Sequence, residues 1–110
     1  RLIGASRAAQ LLFTGDVIDA ATAKEWGLVS EIYPADELMG EAMKLAERIA
    51  GQPPQALRLA KTLMRQANTA SYDTIMEMSA AAQALMHETE DHIEGVNAIL
   101  EKRKPEFKGR

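Results

Sequence analysis

The densest run of groups able to do chemistry is His87-Glu88-Thr89-Glu90-Asp91-His92. Imidazoles and carboxylates at close spacing can hold a metal or move protons. A histidine pair that ligates from one helix face stands about four residues apart. These two stand five apart and straddle a threonine. The simpler account is a helix N-terminus, with Thr89 as its cap and Glu90 and Asp91 in its first turn. The helix dipole favours negative charge there. No metal ligand is assigned from this run. A second cluster is Lys102, Arg103, Lys104, Lys108 and Arg110. Cations gather at helix C-termini for the same electrostatic reason. They also bind anionic groups such as a phosphate. On residue types alone both readings stand.

Other chemistry is excluded. The chain has no cysteine, so thiol catalysis, cysteine-based zinc sites and iron–sulfur ligation are ruled out. It has neither glycine-rich phosphate-loop pattern, and no Gly-x-Ser-x-Gly nucleophile elbow. Trp26, the single tryptophan, reads as a packing anchor. Methionines at helical spacing read as core or interface. Gly95, inside a helical pattern, costs about 1 kcal/mol relative to alanine, and close backbone packing is its simplest reason.

The elements that must position these groups are mostly helical. Alanine is abundant, glycine sparse, and β-branched residues few. A first helix is expected from about Ser6, as its cap, to Phe13, closed by Gly15. A second spans Ala20 to Trp26, capped by Asp19 and ended by Gly27. Leu28 to Tyr33 alternates and is the one strand candidate, although a lone strand needs a partner. Asp36 is expected to cap a helix with the stripe Leu38, Ala42, Leu45, Ala46 and Ile49. Pro53-Pro54 starts another, striped by Ala56, Leu59, Ala60, Leu63 and Ala67. Ser71 caps a helix carrying Ile75, Met78, Ala82, Leu85 and Met86. Thr89 caps the last, with Ile93, Val96 and Leu100 on one face. Lys102, Arg103 and Lys104 are expected in its final turn, before Pro105. The fold class is therefore mainly α: five to six short helices with at most one short strand. Several helices are apolar on more than one side, as if built to pack on something beyond themselves.

Length and balance bound the rest. The chain has 110 residues, 46% hydrophobic, 5% aromatic and 26% charged, with a net charge of −3. One domain is expected. No apolar run approaches the roughly 20 residues of a membrane helix, and the mild acidity disfavours nucleic acid as a partner. Zero cysteine is compatible with a cytoplasmic location. The chain starts at Arg1 with no methionine and no signal sequence, so it is expected to be cut from a longer protein.

The order of motifs is specific. Leu12-Phe13-Thr14-Gly15 is followed by Ile18, Ala20-Ala21-Thr22-Ala23 and Gly27-Leu28-Val29. Asp36-Glu37-Leu38, Ala46-Glu47-Arg48-Ile49-Ala50, Pro53-Pro54-Gln55-Ala56 and Lys61 come next. Thr89-Glu90-Asp91, Glu94-Gly95-Val96, Leu100-Glu101-Lys102-Arg103 and Pro105-Glu106-Phe107-Lys108-Gly109 close the chain. Across its whole length this resembles the C-terminal region of the enoyl-CoA hydratase/isomerase (crotonase) superfamily.

The resemblance implies a crotonase-like fold in two parts. Residues 1–34 would be the tail end of the core, with short helices and the strand candidate. Residues 35–110 would be the C-terminal helical trimerisation region, giving a homo-oligomer, a trimer or dimer of trimers. The implied activity is hydration of a trans-2-enoyl-CoA in acyl-CoA degradation. Another crotonase-type reaction such as isomerisation, or a non-catalytic self-association module, is the alternative. Backbone donors would stabilise enolate-like charge and two glutamates would move protons. In the family these precede the point matching Arg1, so no catalytic residue is assigned here, and Glu25, Glu88 and Glu90 match no catalytic position. The resemblance implies no cofactor, with the coenzyme A thioester as substrate, and no nucleic-acid or membrane partner. It implies one CoA-binding residue, Lys102, matching a lysine that reaches the 3′-phosphate of CoA. Arg103, Lys104 and Lys108 would be solvated or structural. Family members often carry phenylalanine where this chain has Ile99.

Overall fold

A computed structural model describes residues 1–110. It contains six helices: α1 (Gly4–Thr14), α2 (Ala20–Glu25), α3 (Leu38–Ala50), α4 (Pro54–Gln66), α5 (Tyr72–His87) and α6 (Glu90–Leu100). There is no strand. The chain divides into two compact units, Arg1–Lys44 and Leu45–Arg110. No helix is long and apolar enough to cross a membrane.

In the first unit, α1 begins two residues before the expected cap. Ile3 occupies the cap position without a side-chain bond, and Gly4 enters with φ +78°. Ser6 therefore lies inside the helix. Gly15 ends α1 as expected, with φ +70° and its N–H donating to the Leu11 carbonyl at 3.0 Å. Asp19 caps α2 by accepting from the Thr22 N–H at 2.7 Å. That bond holds its carboxyl below the usual range. The Arg7 guanidinium lies 5.2 Å from the Trp26 ring centroid, a cation–π contact that ties α1 to the end of α2. Trp26 is half-buried, which fits a packing anchor.

The strand candidate forms no strand, for a local reason. The N–H groups of Leu28 and Val29 both turn back onto the Ala23 carbonyl, at 2.8 and 3.4 Å. They close the end of α2 instead of entering a ladder. Glu31 pairs with Lys24 of α2. With no second strand in the chain, the alternation of Leu28–Tyr33 has nothing to pair with. The start of α3 also differs from expectation. The Pro34 carbonyl takes the N–H groups of Glu37 and Leu38, at 3.0 and 2.9 Å, and Asp36 makes no capping bond.

In the second unit, α5 packs against both α4 and α6. Pro53 and Pro54 open α4, where a missing N–H costs nothing. Ser71 caps α5 by accepting from the Thr74 N–H at 3.2 Å. Thr89 caps α6 by accepting from the His92 N–H at 3.1 Å. Helix α6 stops at Leu100, so Lys102, Arg103 and Lys104 follow it rather than forming its last turn.

The buried apolar core is small: only Ala23 and Ala98. Phe13 is 87% exposed, Val17 97% and Ile99 78%. The total accessible surface is 8883 Å². A single compact domain of this mass exposes about 6,000 Å², and two independent units of these lengths about 7,200 Å² together. The helices thus leave apolar faces without cover, as their multi-sided patterns imply.

Candidate functional site

The basic cluster lies on the segment that follows α6, and that segment is tied back onto α6 by acids of the helix. Asp91, in the first turn, is only 3% exposed. One carboxylate oxygen accepts from the Lys108 N–H at 2.6 Å and the other from the Gly109 N–H at 2.8 Å. The Asp91 N–H donates to the Arg110 carbonyl at 3.1 Å. Gln55 of α4 donates from Nε2 to the Gly109 carbonyl at 2.7 Å. Gly109 itself has φ +76°, and a Cβ there would sit 3.3 Å from Pro54 Cγ. Conformation and space both call for glycine at that point.

One helical turn further on, Glu94 makes the second tie. Its two oxygens face Arg103 Nη1 and Nη2 in a two-pronged ion pair, the Nη2 arm at 2.9 Å. The same carboxylate accepts from the Glu106 N–H at 2.8 Å. These bonds, led by the one from Arg103, lower the Glu94 carboxyl to about 2. Glu94, with Glu101, pushes the Arg103 guanidinium upward in turn. Gly95 lies beside the Phe107 ring, which would be 3.7 Å from a Cβ at that position. That is an ordinary contact with room for a methyl group, so the close backbone packing expected of this glycine is not found.

Lys102 immediately precedes Arg103, the first residue of the Glu94 tie. Its φ of +55° is the only positive value at a non-glycine residue. Its N–H donates to the Ile99 carbonyl at 3.2 Å, and the Arg103 N–H donates to the Ala98 carbonyl at 3.0 Å. This bond pair is the Schellman ending of a helix, in which glycine normally takes the left-handed place. Here a lysine takes it. The Lys102 side chain is exposed and pairs with no acid of the chain. Lys104 and Lys108 also make no ion pair, while Arg103 is held by Glu94 and Glu101, and Arg110 by Glu90. The five cations therefore separate into two ion-paired arginines and three lysines that make no ion pair. Beside Lys104, an open cleft of about 360 Å³ is lined by Ala50, Gly51, Pro105, Glu106 and Phe107.

The acid–histidine run is brought together but arranged as a helix start. The rings of His87 and His92 stack with centroids 4.5 Å apart, tilted by 34°. Thr89 between them is the cap, Glu90 holds Arg110, and Asp91 holds the tail. No three histidine or acidic side chains converge as a ligand set. Glu25 ends α2 and Glu88 ends α5. The sequence reading did not single out Glu94 as an anchor or Lys102 as a left-handed residue. Bonds spanning 9 to 18 residues carry no periodic signal. The nearest clue is the Leu100-Glu101-Lys102-Arg103 run, whose cations the sequence puts in the last turn of α6.

Three comparisons bear on this arrangement. The family model described as enoyl-CoA hydratase/isomerase matches residues 1–110. The 2,3-dehydroadipyl-CoA hydratase of Escherichia coli (strain K12) is 36% identical over 110 residues, covering 100% of this chain and 43% of that protein. The crotonyl-CoA hydratase of Syntrophomonas wolfei is 40% identical over 107 residues, 97% of this chain and 41% of that protein. Among solved structures, an enoyl-CoA hydratase from Bacillus anthracis superposes with a TM-score of 0.96 at 39% identity, over 99% of this chain and 42% of that one. The chain thus spans about two-fifths of the length of the relatives it matches.

Proposed function

The chain belongs to the enoyl-CoA hydratase/isomerase family, and on that premise we propose that the whole protein adds water across the double bond of a trans-2-enoyl-CoA. The observation that carries this reading is a family match along all 110 residues, together with hydratases among the similar proteins. Within that protein, residues 35–110 serve assembly and contact with CoA, and residues 1–34 close the catalytic core. The substrate is the thioester itself, with no added cofactor and a cytoplasmic setting.

Two features support the roles given to this segment. The accessible surface exceeds that of two independent compact units by about 1,700 Å², and a standard protein interface covers about 800 Å² per partner. The excess supports helix faces that other atoms cover, and the family resemblance implies that these include neighbouring copies in a homo-oligomer, a trimer or dimer of trimers. Lys102 is the CoA contact. Its free ammonium, held on a fixed turn, suits a point-charge partner for the 3′-phosphate.

Hydration of crotonyl-CoA, followed as loss of the enoyl-thioester absorbance, tests the reading. The whole protein is expected to turn over, and the 110-residue chain alone is expected to be inactive. Turnover by the pure 110-residue chain would overturn the assignment of no catalytic residue to it. Silence from a folded whole protein would favour another reaction of the same family, such as isomerisation.

A further inference from the structure

A lysine in the left-handed region is costly for an L-residue, and glycine would end α6 without that cost. Something must over-determine the turn for Lys102 to hold it. Lys102 follows Glu101, the residue that caps the end of α6, and is followed by Arg103. Arg103 is fixed from the helix side by Glu94, whose two oxygens take both terminal guanidinium nitrogens and also the Glu106 N–H. One carboxylate thus closes both the start of the tail at Arg103 and its return at Glu106. Lys102 lies in the stretch of chain that the Glu94–Arg103 pair closes, and its ammonium makes no ion pair.

We propose that Glu94 is a positioning residue for anion capture. It locks Arg103 and the Glu106 backbone so that Lys102 keeps its left-handed turn and presents its ammonium to the 3′-phosphate of CoA. This rests on the reading of Lys102 as the CoA contact. Glu94 touches no ligand. It acts through the turn, and Arg103 is its lever rather than a second phosphate ligand.

The test compares the Kd of CoA with that of 3′-dephospho-CoA, by calorimetry on the whole protein. Lys102→Ala is expected to weaken CoA binding about tenfold, the scale of one charge-assisted contact, and to spare 3′-dephospho-CoA. Glu94→Gln keeps an acceptor for the Glu106 N–H but loses the charged two-pronged pair. It is expected to weaken CoA about three- to fivefold, again sparing 3′-dephospho-CoA. In a Lys102→Ala background, Glu94→Gln is expected to add nothing to the preference for CoA. Absence of CoA binding, or an unchanged preference in Lys102→Ala, overturns the reading of Lys102 and the inference with it. A lost preference in Lys102→Ala but an intact one in Glu94→Gln overturns the inference alone. Equal weakening of both ligands by Glu94→Gln also overturns it, because a merely structural role acts on both. Should Glu94→Gln not fold, Arg103→Lys carries the same test, since lysine keeps the charge but cannot pair in two prongs. An unchanged preference in that variant overturns the inference.

Discussion

Replacing Lys102 by glycine should strengthen the end of α6 while weakening its proposed ligand contact. The left-handed conformation at φ +55° costs an L-residue about 1–2 kcal/mol. Glycine removes that cost but gives back about 0.5–1 kcal/mol through its greater freedom in the open state. The net expectation is a gain of about 0.5–1 kcal/mol, a two- to fivefold change in an opening equilibrium. The reporter is the Arg103 N–H, whose bond to the Ala98 carbonyl at 3.0 Å exists only while the turn is closed. Hydrogen exchange of that amide in the whole protein should slow by about two- to fivefold in Lys102→Gly. Lys102→Ala is the control. It loses the ammonium but keeps a Cβ in the left-handed region, so exchange should stay near that of the parent. Both variants should lose the preference for CoA over 3′-dephospho-CoA. Exchange that fails to slow in the glycine variant, or slows equally in the alanine variant, would refute the claim that this turn carries a backbone cost.

Other expectations follow from the same tail. Asp91→Ala removes a buried acceptor of two N–H groups, so exchange at Lys108 and Gly109 should accelerate at least about tenfold, the scale of one bond to a charged group. Exchange that stays slow there would mean the tail is held by other contacts. Gly95→Ala should raise the stability of α6 by about 0.5–1 kcal/mol, because the added methyl would lie 3.7 Å from the Phe107 ring, an ordinary contact. A lowered unfolding midpoint in denaturant would show that the ring cannot accommodate it. The Glu94 tie should respond to acid. Its carboxyl is depressed from 4.5 to about 2, so its contribution is complete above the unfolded value and fades as pH falls from about 4.5 through about 2. Amide shifts of Glu106 followed by NMR should report release in that window, and Glu94→Gln should abolish the response. A Glu106 amide that titrates unchanged in that variant would assign the response to another group.

What could be read from the sequence was what nearest neighbours decide. Asp19, Ser71 and Thr89 cap their helices as expected, because a cap is a bond to an N–H three residues away. Gly15 was legible for the same reason. Ser6 misled because a serine followed by an apolar stripe looks like a cap even when the chain enters the helix earlier, through Gly4. Leu28–Tyr33 misled because alternation records which faces a segment offers and says nothing of whether a second strand is present. The basic cluster was legible as cations near the end of α6. Their division into paired arginines and free lysines was not, because it depends on Glu94 meeting Arg103 across nine residues. No local pattern distinguishes that acid from its neighbours Glu90 and Glu101.

The two properties of this chain place different demands on its surroundings. The helix faces are under-covered by the 110 residues themselves. The tail is the reverse. Asp91, Glu94 and Gln55, which hold it, all lie in the same compact unit as Lys102. Its bonds run to backbone groups and to two guanidinium groups, those of Arg103 and Arg110, all within the chain. The turn that carries Lys102 is therefore held by bonds within the chain itself. A cation fixed in this way loses little conformational freedom when it meets an anion, and less of the interaction is spent on ordering it. On the function proposed above, assembly has only to bring CoA within reach of a cation that the turn already holds in place.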